Sequence, residues 1–180
     1  MLGEGVVEGA VASDAGSFDA FAARKLEPSY RIASLILGNA ADAEDVTHDS
    51  LVAAWRSWTS LRDPDRVDAW FGRILINRCR DQLRQNRRRR VIDISAELLD
   101  LPAGGDVSVE AADREAVARA FDELDADHRI CVVLRYYGGR SVRQIAEETG
   151  VAEGTVKSRL HYALRALRIS LDADAMGDPT

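Results

Sequence analysis

The sequence predicts an all-α fold of two small helical domains joined by a flexible linker. Apolar residues recur at helical spacing along most of the 180 residues, and no segment shows the apolar/polar alternation of a β-strand. An irregular segment rich in turn residues lies near the middle. We therefore place domains at 17–90 and 109–172, a linker at 91–108, a disordered N-terminal tail at 1–16 and a C-terminal tail at 173–180.

The N-terminal domain begins with two predicted helices. The first is marked by apolar residues at helical spacing from Phe18 onward, with Pro28 expected to kink or restart the helix and Gly38 to end it. Asn39 is a suitable N-cap for a second helix that reaches about Trp58. A loop with Asp-Pro punctuation follows.

The third predicted helix, from 67 to about 88, has an apolar face and a basic face when residues are placed about 100° apart. The apolar face carries Val67, Trp70, Phe71, Ile74, Leu75, Cys79 and Leu83. The opposite face carries Arg73, Asn77, Arg80, Arg84 and Arg87. Arginines suit a phosphate backbone, an Asn amide can read a base, and Trp70 with the adjacent loop could wall an unstacked base. For Trp55, Trp58 and Trp70 taken singly, a core position is the favoured interpretation.

The linker is predicted from the loss of helical period in 91–108, which contains Pro102 and a Gly pair. Beyond it, one helix is predicted from 109 to about 124 and another from about 127 to 137, where a second Gly pair stops it. Ser141 and Gln144 then form the capping-box pattern for a short helix that ends before Gly150. A last helix runs from about 154 to 171.

The last two predicted helices have the layout of a helix-turn-helix. Ile145 and Ala146 can pack inward, Gly150 can supply the turn, and Val151 and Val156 can fix the corner and the second helix. An ordinary amphipathic helix would explain the basic charge but not this spacing. The exposed surface near the start of the second helix is then left to meet DNA through Thr155, Lys157, Ser158, Arg159, His161, Tyr162 and Arg165.

The charge of the chain is unevenly distributed. The formal net charge of −6 by itself argues against a nucleic-acid partner. However, residues 73–90 contain eight arginines and one acid, Asp81, whereas residues 4–49 are dominated by Asp and Glu. The sequence therefore predicts at least two basic surfaces on an acidic body.

An acidic cluster, DAEDVTHD, occupies 42–49. It could stabilise a helix N-terminus, or form a metal site, because Asp45-x-x-His48 is echoed by Asp125-x-x-His128. A metal site normally requires two further carboxylates, and the two copies fall in different predicted domains. A protein-docking surface is the favoured interpretation, and no metal or cofactor is expected.

The remaining residue patterns indicate neither an enzyme nor a membrane protein. Cys79 and Cys131 lie far apart in apolar segments and are predicted core residues. No catalytic triad, phosphate loop or zinc spacing is present. The absence of an 18-residue apolar run and of a secretory signal favours a cytoplasmic location.

Together these motifs resemble the extracytoplasmic-function (ECF) sigma factors, the two-domain promoter-recognition subunits of bacterial RNA polymerase. DAEDVTHDSLVAAW is similar to the family's polymerase-binding segment, and WFGRILINRCRDQLR to its −10-element helix. LRYYGGRSVRQIAEETGVAEGTVKSRLHYALRALR is similar to its −35-reading domain. The resemblance covers about 18–171 and has three segments in the family's order, with a linker of suitable length between the domains.

The resemblance implies three sets of contact residues. The clamp helices of the polymerase's largest subunit would face Asp42, Glu44, Asp45, His48 and Asp49. The melted −10 strand would lie along Asn77, Arg80, Asp81 and Arg84, near Trp70 and Arg73, with the loop around Leu61 receiving a flipped base. The −35 duplex would be approached by Arg143, Thr155, Lys157, Ser158, Arg159, His161 and Tyr162, with Arg165 nearer the phosphates.

The implied function is promoter-specific initiation without enzymatic activity. Partners would be core polymerase, including the flap of its second-largest subunit, promoter DNA in duplex and melted form, and an anti-sigma factor. The free chain would be a monomer that does not insert into membranes. Two alternatives stay open on the sequence: a dimeric DNA-binding regulator with the same helix-turn-helix, and a metal-dependent helical enzyme.

Overall fold

The computed structural model describes residues 5–61, 63–90 and 117–176, and within these ranges it contains helices and turns and no β-strand. The first half contains α1 (Gly5–Leu37), α2 (Ala40–Ser57) and α3 (Val67–Arg90). Short 3₁₀ turns at Trp58–Ser60 and Pro64–Arg66 lie in the α2–α3 connection. The second half contains α4 (117–123), α5 (Ala126–Val132), α6 (Val142–Thr149) and α7 (Glu153–Met176). The predicted all-α class is confirmed.

The helix ends follow local sequence signals. Asn39 caps α2 by accepting a hydrogen bond from the backbone N–H of Asp42 at 3.1 Å. At the start of α6, the Ser141 hydroxyl accepts from the N–H of Gln144 at 3.2 Å. The Gln144 side chain accepts from the N–H of Ser141 at 2.9 Å, which completes the predicted capping box. Gly150 ends α6 with φ +73°, a left-handed conformation that glycine adopts without a Cβ penalty.

A π-helical turn, Val133–Tyr137, continues α5. The backbone N–H of Gly138 donates to the carbonyl of Val133, five residues earlier, at 2.9 Å. The N–H of Arg140 then reaches the carbonyl of Leu134 at 2.9 Å. This wider turn ends where the sequence predicted the helix to stop, at the Gly138–Gly139 pair.

The first helix differs from the prediction at two points. It begins at Gly5, within the segment expected to be a disordered tail, and no proline interrupts the chain between Gly5 and Pro28. Pro28 lies inside the helix and does not restart it. Its ring removes the amide that would bond to the carbonyl of Arg24, but both residues are exposed, so that water can replace the lost partner.

Several predicted segments lie outside the described residues: the linker at 91–108, residues 1–4, the start of α4 before 117, and residues 177–180. At the C-terminal end, α7 extends to Met176, five residues beyond the predicted end at Leu171. Within the described ranges, no helix is both long enough and apolar enough to cross a bilayer.

An aromatic cluster joins the three helices of the first half. Its buried members are Phe18, Phe21, Ala54 and Phe71, and Trp58 and Trp70 pack against them half-buried. The rings of Phe21 and Phe71 meet edge to face at 5.3 Å. The prediction that Trp55 is a core residue is wrong. Its ring lies 5.0 Å from that of Phe18, but 47% of the residue is exposed.

A second apolar cluster runs through both halves of the chain. Ile36, Ile76 and Cys79 from the first half share it with residues of α5 to α7, including Ile130, Cys131, Leu134, Ile145 and Val156. Both cysteines are free and buried, as predicted. Burial raises the pKa of the Cys79 thiol to about 12. The two predicted domains therefore pack against each other through a shared core.

Candidate nucleic-acid interface

The last helix, α7, is anchored by its apolar side. Val156, Leu160 and Ala163 are buried at helical spacing, and Ala146 and Val151 pack against the same core as expected for a helix-turn-helix. This orientation leaves six of the predicted −35 residues exposed on α7: Thr155, Lys157, Ser158, His161, Tyr162 and Arg165. The rings of His161 and Tyr162 meet edge to face at 5.6 Å, and the Ser158 hydroxyl donates to the carbonyl of Gly154.

Two predicted −35 arginines differ in accessibility. Arg143 on α6 has a side chain that is 79% exposed and pairs with Glu147 at 3.3 Å, one helical turn away. Arg159, by contrast, is half-buried. Its Nη2 donates to Oδ2 of Asp127 on α5 at 2.6 Å. Arg159 thus departs from the exposed position predicted for it, because α5 packs along this side of α7.

The basic face of α3 is also partly covered. The Arg73 guanidinium donates through Nε and Nη2 to the backbone carbonyl of Glu147 on α6, at 3.3 and 3.0 Å. Arg80 donates to Oδ1 of Asp127 at 2.9 Å and to the Asn77 amide oxygen at 3.2 Å. Asn77 itself is exposed. Further along the helix, Arg84 and Asp81 are exposed and lie 3.6 Å apart.

A cavity of about 300 Å³ opens beside the α2–α3 connection. The predicted −10 residues Leu61, Trp70 and Arg73 line it together with Ser60, Asp63, Arg66, Ala69 and Glu147. Trp70 is held at its edge by Trp58, whose ring centroid lies 6.2 Å away. An aromatic wall, hydroxyl and carboxylate acceptors and two arginines can together stack and hydrogen-bond a planar base.

The acidic residues on α2 fall into two groups. Asp42 is half-buried and accepts hydrogen bonds from the amides of Gln82 and Asn86 at 2.8 and 2.7 Å. Asp42 was predicted to face outward toward the polymerase. Its carboxylate instead joins α2 to α3. Asp49 is exposed and lies 3.4 Å from Arg78. Glu44, Asp45 and His48 are exposed, and within the described residues their side chains have no hydrogen bond or ion pair.

Sequence reasoning missed two buried charged residues, Arg129 and Glu148, and the contacts that they make. Arg129 of α5 is buried and donates to the carbonyl of Ile36 in α1 at 3.2 Å. Glu148 of α6, with a side chain 6% exposed, pairs with Arg140 at 2.8 Å. Burial raises the pKa of the Glu148 carboxyl, while Arg140 opposes this shift. Arg129 and Ile36 lie 93 residues apart in sequence, and Arg140 and Glu148 lie 8 residues apart across the turn before α6, so that no helical spacing points to either contact.

The two acid-x-x-His pairs considered as metal ligands lie on α2 and at the start of α5. In the part of the chain that the structure describes, no three His, Cys, Asp or Glu side chains form a group that could hold a metal ion.

Comparison with known proteins identifies both halves. The family model described as Sigma-70 region 2 matches residues 21–89, and the model described as Sigma-70, region 4 matches residues 114–167. The chain is 38% identical over 167 residues to the ECF RNA polymerase sigma factor SigL of Mycobacterium tuberculosis, which covers 92% of this chain and 94% of SigL.

Two solved structures share the fold. The sigma factor RpoE in its complex with the anti-sigma factor NepR from Bartonella quintana is 25% identical, with a TM-score of 0.67; the match covers 88% of this chain and 98% of RpoE. CnrH in complex with the cytosolic domain of CnrY is 28% identical, also with a TM-score of 0.67, over 91% of this chain and 95% of CnrH.

Proposed function

Because the chain belongs to the ECF family of RNA polymerase sigma factors, we propose that α2 docks on core polymerase while α3 and α7 contact the promoter. The observation that carries this proposal is the separation of charge on one small molecule. Glu44, Asp45 and His48 are exposed without partners among the described residues, whereas Lys157 and Arg165 project from α7. Complementary potentials of this kind assist encounter and fix orientation.

The polymerase surface is proposed to be the exposed part of α2. Its partner would be the clamp helices of the largest polymerase subunit, and the second half of the chain would meet the flap of the second-largest subunit. Glu44, Asp45, His48 and Asp49 are in position for direct contact. Asp42 would act indirectly, because its carboxylate fixes α2 against Gln82 and Asn86.

The −10 element is proposed to be read by α3 and the neighbouring cavity. An unpaired base would enter the space beside Leu61 and stack on Trp70, and the strand would pass Asn77, Asp81 and Arg84. Capture of a base offsets part of the unstacking cost, a few kcal/mol per base. The protein would therefore assist melting by binding, without a chemical step and without a cofactor.

The −35 element is proposed to be read by the exposed side of α7. Lys157 and Arg165 would contact phosphates, Thr155 and Ser158 would fix the register, and His161 and Tyr162 would reach base edges or the groove wall. Arg143 of α6 would approach from the first helix of the pair. An anti-sigma factor is proposed as the regulator, since the similar sigma factor RpoE was solved in complex with the anti-sigma factor NepR. The chain would work in the cytoplasm, where polymerase and promoters meet.

The test is co-elution with bacterial core RNA polymerase in size-exclusion chromatography. Wild type should co-elute, and Asp45→Arg should not, because it places a cation at the centre of the exposed acidic surface. Asp19→Arg makes the same charge change at an exposed position on α1 and should behave as wild type. Retention of binding by Asp45→Arg would reject the α2 docking surface. A wild-type chain that does not bind polymerase, and that binds duplex DNA as a symmetric dimer, would favour the alternative of a dimeric DNA-binding regulator.

A further inference from the structure

A buried carboxyl group lies where the two halves of the chain meet. Glu148 belongs to α6, and its side chain is 6% exposed. It packs over the backbone of α3 at Gly72, since a Cβ added to Gly72 would lie 2.7 Å from its carboxyl carbon and 3.0 Å from Oε2. Glycine at this position of α3 therefore makes room for an acid that the other half contributes.

Two cations lie near this carboxyl group, and neither secures its charge across the contact. Nε of Arg140 donates to Oε1 of Glu148 at 2.8 Å, but Arg140 precedes α6 in the same half, so that this pair does not require α3. From the π-helical turn, the small cavity beside Glu148 is lined by the apolar Leu134. Lys25 of α1 lines the same cavity, and its Nζ lies 2.8 Å from Oδ1 of Asp68 at the start of α3. The positive charge of Lys25 is therefore already balanced within the first half.

The ionised form of Glu148 is consequently disfavoured while the halves are in contact. Burial raises the pKa of its carboxyl, Arg140 and then Lys25 oppose this shift, and Asp68 adds to it. Separation of α6 from α3 would return the carboxyl group to water, which solvates the charged form. The contact therefore binds this proton more tightly than the separated halves do.

We propose that Glu148 makes the contact between the two halves sensitive to pH: the neutral acid fits against α3, and its ionisation loosens α6 from α3. Acid conditions would hold the chain in the arrangement described here, and rising pH would favour separation of the halves about the predicted linker. This is a property of the chain alone. It does not depend on the roles proposed above for promoter and polymerase contact, so that its failure would leave those roles untouched.

The test follows the distance between the halves of the whole chain by single-molecule energy transfer. Dyes are attached through Ala41→Cys on α2 and Ala152→Cys in the corner before α7, two exposed and uncharged positions. Cys79 and Cys131 are buried and should stay unlabelled in the folded protein. The ratio of closed, high-transfer molecules to open, low-transfer molecules is measured between about pH 5.5 and 8.5. Circular dichroism checks that the helix content stays constant.

In the labelled but otherwise wild-type chain, the closed-to-open ratio should fall as the pH rises, by no more than about tenfold per pH unit because one proton is linked to the contact. Glu148→Gln has the shape of the neutral acid and cannot ionise, so that its ratio should stay at the acid value. Glu27→Gln removes an exposed carboxylate on α1 that lies 2.7 Å from Arg31, and it should respond as wild type does. A wild-type ratio that does not change over this range, or a Glu148→Gln ratio that falls as steeply, would overturn the proposal.

A second variant alters the pH response from the α3 side. The methyl group of Gly72→Ala would displace the flexible end of the Glu148 side chain toward solvent. Alanine favours a helix interior more than glycine does, so that α3 itself should form normally. With the carboxyl group hydrated in both arrangements, the ratio of Gly72→Ala should change with pH less steeply than that of wild type. A response as steep as that of wild type would mean that burial of Glu148 against Gly72 is not its source, and would contradict the proposal.

Discussion

Two alanine substitutions in the helix-turn-helix isolate the backbone of its turn. Gly150 ends α6 with φ +73°, whereas Gly154 lies in the first turn of α7 without a positive φ. A Cβ added at either position would meet no heavy atom within 4 Å. The added methyl group therefore neither clashes nor fills a void, and the backbone conformation alone distinguishes the two sites.

The magnitude follows from that conformation. A left-handed backbone costs an L-residue roughly 1–2 kcal/mol, and replacing glycine lowers the entropy of the unfolded chain, which offsets roughly 0.4–1 kcal/mol. Gly150→Ala should therefore lower the free energy of unfolding by roughly 0.5–1 kcal/mol. At Gly154, alanine is favoured over glycine by up to about 1 kcal/mol inside a helix, so that a gain of about 0.5 kcal/mol is expected in the first turn.

The assay is urea unfolding followed by far-ultraviolet circular dichroism, with the slope checked for constancy across variants. The expected order of stability is Gly154→Ala, wild type, then Gly150→Ala. Gly150→Asn should lie between the last two, because asparagine tolerates the left-handed region better than alanine. A Gly150→Ala protein as stable as wild type would contradict the left-handed turn that orients α7, and a destabilised Gly154→Ala would contradict the helical start of α7.

Two further predictions concern charge. Lys157→Ala should weaken duplex binding and lower the slope of log affinity against log salt by about one, as for one lost phosphate contact. Arg24→Ala, at an exposed position on α1, is the control. An unchanged slope for Lys157→Ala would mean that Lys157 does not contact a phosphate. Burial raises the pKa of Glu148, so the folded chain holds this proton more tightly than the unfolded chain does. The stability that the bound proton contributes is therefore present at low pH and is lost as the pH rises through the pKa of the folded chain. In urea unfolding between pH 4 and 8, wild type should therefore lose stability relative to Glu148→Gln as the pH rises. Parallel pH profiles of the two proteins would contradict the raised pKa of Glu148.

The sequence predicts best what depends on near neighbours in the chain. Asn39, the Ser141–Gln144 box and Gly150 each act within four residues, and the structure confirms all three. The buried and exposed sides of α7 follow in the same way, because a helix buries residues three and four apart.

The packing of the two halves on each other could not be predicted from local patterns. Ile76 was absent from the predicted apolar face of α3, yet it is fully buried, because the second half of the chain covers a side of this helix that a single-helix analysis leaves to solvent. Arg80 and Arg159 were predicted as exposed cations. They meet at Asp127, which lies 47 and 32 residues away from them in sequence. Trp55 was predicted to be buried and is not: its ring contacts Phe18, but no element of the described residues covers its outer side.

The π-helical turn at Val133–Tyr137 gives the chain tolerance to a change in length. A π-turn holds one residue more than an α-helical turn, so deleting one residue there would restore regular α-helix up to Gly138 and leave the faces of the preceding helix in place. Arg129 precedes the turn and Arg140 follows it, so both anchors keep their partners if the extra residue is lost. In an alignment of related chains, a one-residue gap would accordingly be expected at this last turn of the helix, before Gly138, as readily as in a surface loop.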